Sequence, residues 1–279
     1  MRAPADPGGV RAPAVRWADL RLRILSAAVL APLALAGLWL GGAAWHLLVA
    51  AAAFGMGIEW LAMCGRSPRM PAGAAVLCAL LFAVAAAAFD RDGTALALLA
   101  AGAALAWALA RRAGPACGVL YVGLGALALI WLRDDAAAGR ANLLFVVLIV
   151  WASDIGAYAV GRLVGGPRLA PAISPGKTWS GAVGGLLAAM AAGWLAGRLL
   201  DATGAPPLTV LAVAAALGIT SQAGDLLESA VKRHFGVKDS GRLIPGHGGL
   251  LDRLDGVLTA APAAALLALA LGRGVVLWR

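Results

Sequence analysis

Charge is what this sequence has least of. Of its 279 residues, 13% are charged and 62% are hydrophobic, whereas about a quarter of a soluble globular domain is charged. An ordinary water-exposed fold is thereby excluded, and the bilayer is the expected solvent. Cysteine is nearly as scarce. Cys64, Cys78 and Cys117 lie in or beside apolar segments with neither CxxC nor Cys/His spacing, which argues against zinc or a disulfide framework and for small packing residues. Histidine is rare too, and His46 and His234 stand in no pattern. Acidic residues number 14 against 23 basic ones, a net charge of +9. In a polytopic protein such an excess is better explained by cytoplasmic loops rich in Lys and Arg than by nucleic acid, so no nucleic-acid partner is expected.

What is abundant is apolar sequence in long runs. A transmembrane helix needs roughly 20 mostly apolar residues, because each backbone amide in hydrocarbon must be bonded within its own segment. Nine segments meet this: Ile24 to Leu40, Trp45 to Met63, Pro71 to Phe89, Thr94 to Ala110, Pro115 to Leu132, Asn142 to Val160, Trp179 to Gly197, Leu208 to Ser229 and Val257 to Trp278. The first run follows a basic start, as a signal peptide does, but is long enough to span and is read as a span. With the N-terminus inside, 17 of the 23 basic residues fall on inner flanks and 6 on outer ones. The expected fold is therefore an all-α, polytopic membrane bundle of about nine helices with a cytoplasmic N-terminus. Residues 1–20 read as a disordered cytoplasmic tail, 21–140 as a scaffold of five helices, and 141–279 as a catalytic region of four helices and two cytoplasmic loops.

The scaffold segments are rich in Ala, Leu and Gly, which lets membrane helices pack closely. Glu59 is their exception. It fits either a site residue facing the bundle or an interfacial carboxylate beside Trp60. From segment six onward the polar residues gather at the cytoplasmic helix ends. Asp154 lies eight residues before Arg162, about 12 Å of helix at 1.5 Å per residue, and Asp225 lies at similar depth before Lys232. Ionised carboxylates there cost several kcal/mol unless paired, hydrated or metal-bound, so each is a functional candidate. Ser221, Asp225, Glu228, Ser229 and Lys232 share one helical face. Asp225 and Glu228 with Lys232 could form a plain salt-bridge ladder, but Asp154, Asp252 and Asp255 at matching depth favour a site. On segment six, Asp154 and Tyr158 stand one turn apart.

The two loops complete the pattern. The first, from Gly161 to Trp179, offers Arg162, Arg168 and Lys177 among Gly turns. Its Gly176-Lys177-Thr178 is not a P-loop, because Pro171 occupies the required Gly position and no strand is expected before it. Lys177 and Thr178 remain candidate phosphate or headgroup contacts. The second loop, after Ser229, combines basic residues for polyanions, Gly246, Gly248 and Gly249 for close backbone approach, and carboxylates for a divalent cation. Mg²⁺ takes one or two carboxylates and completes its shell with waters and phosphate oxygens. His247 reads as a loop-ordering hydrogen bonder rather than a proton donor.

The run Ser229-x-x-Lys232-Arg233-x4-Lys238-Asp239-x-Gly241-x-x-Ile244-Pro245-x-His247-Gly248-Gly249-Leu250-x-Asp252-Arg253-x-Asp255 resembles the signature of the phosphatidate cytidylyltransferases. Gly224-Asp225-Leu226-x-Glu228-Ser229, Asp154-x-Gly156-Ala157-Tyr158-x-x-Gly161-Arg162 and Ile173-Ser174-Pro175-x-Lys177-Thr178 are also similar to the family. Where that family has Glu before the Gly that follows, this chain has Ser180, which is kept out of the catalytic set.

The resemblance implies that CTP and phosphatidic acid give CDP-diacylglycerol and pyrophosphate with Mg²⁺, alone or with a monovalent cation such as K⁺. It implies a catalytic set of Asp225, Asp255, Lys232, Arg253 and Asp252, with Asp225, Asp255 and Asp252 as metal ligands. The remaining substrate contacts would be Asp154, Tyr158, Lys177, Thr178, Glu228, Ser229, Arg233, Lys238, Asp239, His247, Gly248 and Gly249. The expected setting is a bacterial inner membrane with the site facing the cytoplasm, membrane lipids as neighbours and a homodimer left open. An ion-coupled transporter or channel is the rival reading, but it predicts charges spread through the bilayer's depth.

Overall fold

The computed structural model describes residues 17–200, 204–246 and 248–279, with side chains from residue 25 onward. The N-terminal tail through residue 16 and His247 lie outside the described residues. Among the described residues there are nine α-helices: α1 (Trp17–Leu40), α2 (Gly42–Met63), α3 (Pro71–Ala87), α4 (Asp92–Ala110), α5 (Ala113–Arg133), α6 (Gly139–Val164), α7 (Trp179–Leu200), α8 (Pro207–His234) and α9 (Leu251–Leu271). Seven of them, α2 and α4 to α9, are long and apolar enough to cross a bilayer. The protein is a multi-pass helical membrane bundle, as its shortage of charge requires.

Side-chain bonds tie alternate helix ends together and define two faces. On one face Trp60 Nε1 donates to Gly114 O at 2.8 Å and Arg66 to Ala110 O at 3.1 Å, joining the end of α2 to α5 and α4. On the other, Trp45 Nε1 donates to Leu129 O at 3.0 Å, and His46 pairs with Asp134 at 2.8 Å. His46, patternless in sequence, thus closes the junction of α2 and α5. The C-terminal tail folds back here as well: Asn142 bonds Val275 O and Leu277 N, and Trp278, fully buried, stacks on Phe145 with centroids 4.2 Å apart.

Several boundaries differ from expectation, the first being that α1 begins at Trp17 rather than Ile24, so residues 17–20, expected in the tail, are helical. α9 begins at Leu251 rather than Val257 and ends at Leu271, followed by Gly272, whose φ of 95° suits glycine, so the last residues are a packed tail and not part of the span. Hydropathy cannot tell a buried tail from a helix in lipid. α8 continues past Ser229 to His234, its final turn carrying Lys232, Arg233 and His234, which complement the negative end of the helix dipole. The loop after α6 contains a small antiparallel hairpin, β1 (Arg168–Ala170) and β2 (Ser174–Thr178), pairing Arg168 with Thr178 and Ala170 with Ser174. Strands this short leave no alternating hydrophobic pattern to read.

Candidate active site

Close approach of glycine-bearing helices places the acidic residues. A Cβ on Gly185 of α7 would lie 2.7 Å from Ser153 O, and one on Gly156 of α6 would lie 2.9 Å from Gly184 O. Only glycine lets these backbones meet, and the contact brackets Asp154. The α8–α9 contact works the same way: a Cβ on Gly224 would collide with Thr259, and one on Gly256 with Ser221. Asp225 and Asp255 are the immediate neighbours of those two glycines. Helix packing in a membrane rests on such close contact, because lipid supplies no hydrophobic drive between helices.

These three aspartates line one cavity of about 770 Å³ between α6, α7, α8, α9 and the hairpin, within the range of small-molecule sites. Five carboxylates (Asp154, Asp225, Asp239, Asp252 and Asp255) and five cations (Arg162, Arg168, Lys177, Lys232 and Arg253) border it. Lys177 Nζ on β2 is 2.5 Å from Asp225 Oδ2, so the hairpin delivers a cation to the α8 carboxylate. Lys232 Nζ bridges Glu228 at 2.5 Å and Asp252 at 2.7 Å. The ladder along α8 keeps its Glu228–Lys232 rung, while Asp225 pairs across to the hairpin and Lys232 also reaches Asp252 on α9. Glu228 is buried, and its Oε1 has no hydrogen-bond partner among the described residues.

Several predicted contacts prove to hold the frame. Asp252 accepts from Lys232, from Ser240 N at 3.1 Å and from Gly249 N at 3.0 Å, which fixes the loop over α9. Thr178 lines the cavity, and its hydroxyl also accepts from Gly181 N at 3.1 Å, capping α7 in the manner of an N-cap threonine. Ser180 donates to Gly165 O and lies 3.0 Å from Thr178 Oγ1, so it ties α7 to the end of α6. Arg233 donates to Ile173 O and Val237 O, both at 3.2 Å, tethering the hairpin turn to the end of α8. Tyr158 reaches the cavity mouth beside Arg162, 3.4 Å away. Ser229, Lys238, Gly248 and Gly249 are not among the lining residues; Gly248, with φ of 85°, bridges to Ile244 in the covering loop.

Two residues were missed or left undecided in the sequence. Gln222 lines the cavity and donates to Ser153 Oγ at 3.2 Å and Ala182 O at 3.1 Å. Its position three residues before Asp225 was the available signal. Glu59 is only 4% exposed and accepts from Leu250 N and Leu251 N, both at 2.9 Å, and from Ser240 Oγ at 3.3 Å. It neither snorkels nor enters the cavity. A carboxylate from α2 instead caps the first turn of α9, where the helix dipole is positive. Outside the spans, burial and then neighbouring Cys117 push the Cys64 thiol up to about 11, which suits an inert packing residue.

Oxygen donors and phosphate-sized room suit a hard divalent cation. Among the described residues no three His, Cys, Asp or Glu side chains form a ready cage. Mg²⁺ needs none, since it keeps waters and shares its shell with phosphate oxygens. The carboxylates of Asp225 and Asp255, from two helices at one cavity, fit that requirement.

Comparison with known proteins gives a consistent result. Residues 21–271 match the cytidylyltransferase family. A protein of Brucella suis biovar 1 named phosphatidate cytidylyltransferase is 43% identical over 249 residues, covering 87% of this chain and 91% of its own. One of the same name from Staphylococcus saprophyticus is 44% identical over 144 residues, 52% of this chain and 54% of its own.

Proposed function

We infer, from the premise that this chain belongs to the cytidylyltransferase family, that its cavity joins CTP to phosphatidic acid, giving CDP-diacylglycerol and pyrophosphate. The observation that carries this is one cavity, set at the membrane end where the loops converge, with cations for two polyanions and carboxylates for a divalent metal. An oxygen of the lipid phosphate forms a bond to the α-phosphorus of CTP. The bond from that phosphorus to its bridging oxygen breaks, and pyrophosphate carries the electron pair away.

A phosphate monoester has a second pKa near 6, so the nucleophile arrives largely ionised and needs little help from a base. The protein's task is to bring two anions together, and positioning with charge neutralisation does that. Lys177 and Arg253, with Arg162 and Arg168, contact phosphate oxygens. Asp225 and Asp255 would hold Mg²⁺, with Asp154 supporting them from α6, and Mg²⁺ when bound neutralises phosphate charge and polarises the α-phosphate. Asp252, whose oxygens are engaged by Lys232 and two backbone amides, keeps the covering loop in place instead. Lys232 divides its charge between Asp252 and Glu228 until phosphate competes for it. The distribution of basic residues, 17 to 6, supports an inner-membrane protein with the site facing the cytoplasm, where CTP is available. The transporter reading is not favoured, because the carboxylates that line the cavity gather toward one end of the bundle.

Purified protein given Mg²⁺, phosphatidic acid and labelled CTP is expected to release pyrophosphate and form a CTP-derived lipid. Asp225→Asn and Asp255→Asn should each lower kcat by about 10²-fold or more, the scale for losing preorganised charge at a reacting centre. Undiminished activity in both variants would sink the metal assignment. Absence of any lipid product, whatever the divalent cation, would sink the enzyme reading.

A further inference from the structure

A second cavity, of about 410 Å³, is almost entirely apolar and runs between α1, α2, α5, α6 and α9. Among the described residues its single charged lining residue is Arg253, which also lines the polar cavity. The two spaces therefore meet at one residue, Arg253. Along α2 the apolar lining runs from Met56 to Trp45, and along α1 from Ala27 to Leu38, a difference of 11 positions in each case (56 − 45 and 38 − 27). At ~1.5 Å per residue each wall is about 16 Å long. That is close to half of the ~30 Å hydrocarbon core, the reach of one acyl chain. On α1 the lining residues Leu30, Leu33 and Leu35 are exposed, so the groove opens toward lipid along its length.

We propose that this groove seats one acyl chain of the phosphatidic acid while Arg253 holds the lipid phosphate at the junction with the polar cavity. The second chain stays in the bilayer. This rests on the cytidylyl-transfer reading above and adds where the lipid lies. A chain moving from the bilayer into an apolar groove gains no hydrophobic drive, because both surroundings are hydrocarbon. Shape is what the groove can read, and narrowing it should change which chains are used rather than how CTP is handled.

Ala34 and Ala52 line the groove from opposite helices. In Ala34→Phe and Ala52→Phe the ratio of kcat/KM for dioleoyl over dihexanoyl phosphatidic acid is expected to fall about tenfold or more, within the range of pocket-shape discrimination. KM for CTP should change less than about twofold, as the CTP contacts lie elsewhere. An unchanged chain-length ratio overturns the proposal. A second measurement needs no variant: phosphatidic acid with a diazirine at the end of an acyl chain should label the unaltered protein at the groove-lining positions of α1, α2, α5 or α6. Labelling elsewhere, or equal groove labelling by a diazirine phosphatidylcholine, means that ordinary bilayer lipid fills the groove and overturns it. If the unaltered protein makes no cytidylyl lipid, the functional reading has failed. If it does so with an unmoved ratio and labelling elsewhere, only the groove has failed.

Discussion

Replacing Glu59 with alanine tests whether a carboxylate outside the cavity holds the catalytic end of α9. In the native protein its oxygens accept from Leu250 N and Leu251 N at 2.9 Å each, and the residue is 4% exposed. Alanine leaves the buried Leu251 amide and the half-buried Leu250 amide without that partner. An unsatisfied buried donor costs about 1–3 kcal/mol, so the pair costs roughly 2–6 kcal/mol, with a smaller loss from Ser240. At ~1.4 kcal/mol per tenfold, the lower bound is already about 30-fold in a local opening equilibrium. Hydrogen exchange at Leu250 and Leu251 should accelerate by at least that factor. Cytidylyl transfer should fall with it, because Asp252, Arg253 and Asp255 occupy the first turns of the same helix. Glu59→Gln keeps one acceptor oxygen and should recover part of both. Native exchange rates at these amides together with full activity in Glu59→Ala would refute the capping argument.

Three further outcomes follow from the same geometry. Gly224→Val drives a side chain into Thr259 and should cost about 1–3 kcal/mol of stability while lowering kcat; Gly102→Val, which meets Ala79 between α3 and α4, should cost stability with kcat kept, and equal kcat losses would undo the claim that the α8–α9 spacing sets the site. Trp278→Ala should destabilise by about 3 kcal/mol or more, read as a lower unfolding midpoint in detergent, because the ring is wholly buried against Phe145; an unchanged midpoint would show that the tail is not part of the packed structure. Asp135 gives an acid limit. Burial raises its carboxyl, but amides of Ala138, Gly274 and Ala137 and the charge of Arg273 outweigh it and hold the folded value below the usual one. A depressed carboxylate adds stability above its unfolded pKa, near ~3.9, and that increment is lost as pH falls through the folded value. Thermal scans below about pH 4 should show this loss, and Asp135→Asn should flatten it.

How much could be read beforehand depended on what kind of energy was involved. In a chain this poor in charge, each carboxylate at bilayer depth is costly enough to demand a partner. Asp154, Asp225, Asp252 and Asp255 therefore announced the site's neighbourhood, and the period of α8 put Asp225, Glu228 and Lys232 on one wall. Partners were another matter. Lys177 reaches Asp225 through a hairpin too short to leave a pattern, and Lys232 prefers Asp252 on the next helix to Asp225 on its own. Glu59 looked isolated because the amides it caps lie 191 and 192 residues away.

The sequence by itself determined the solvent, the helical class and the end of the bundle where the charged residues gather, because hydropathy and charge cost are properties of single residues summed along the chain. Only the tertiary structure decided which carboxylates line the cavity and which hold the loop and helix ends in place. Hydrogen bonds and close glycine contacts depend on ångström distances between helices, and such distances exist only once the helices have packed.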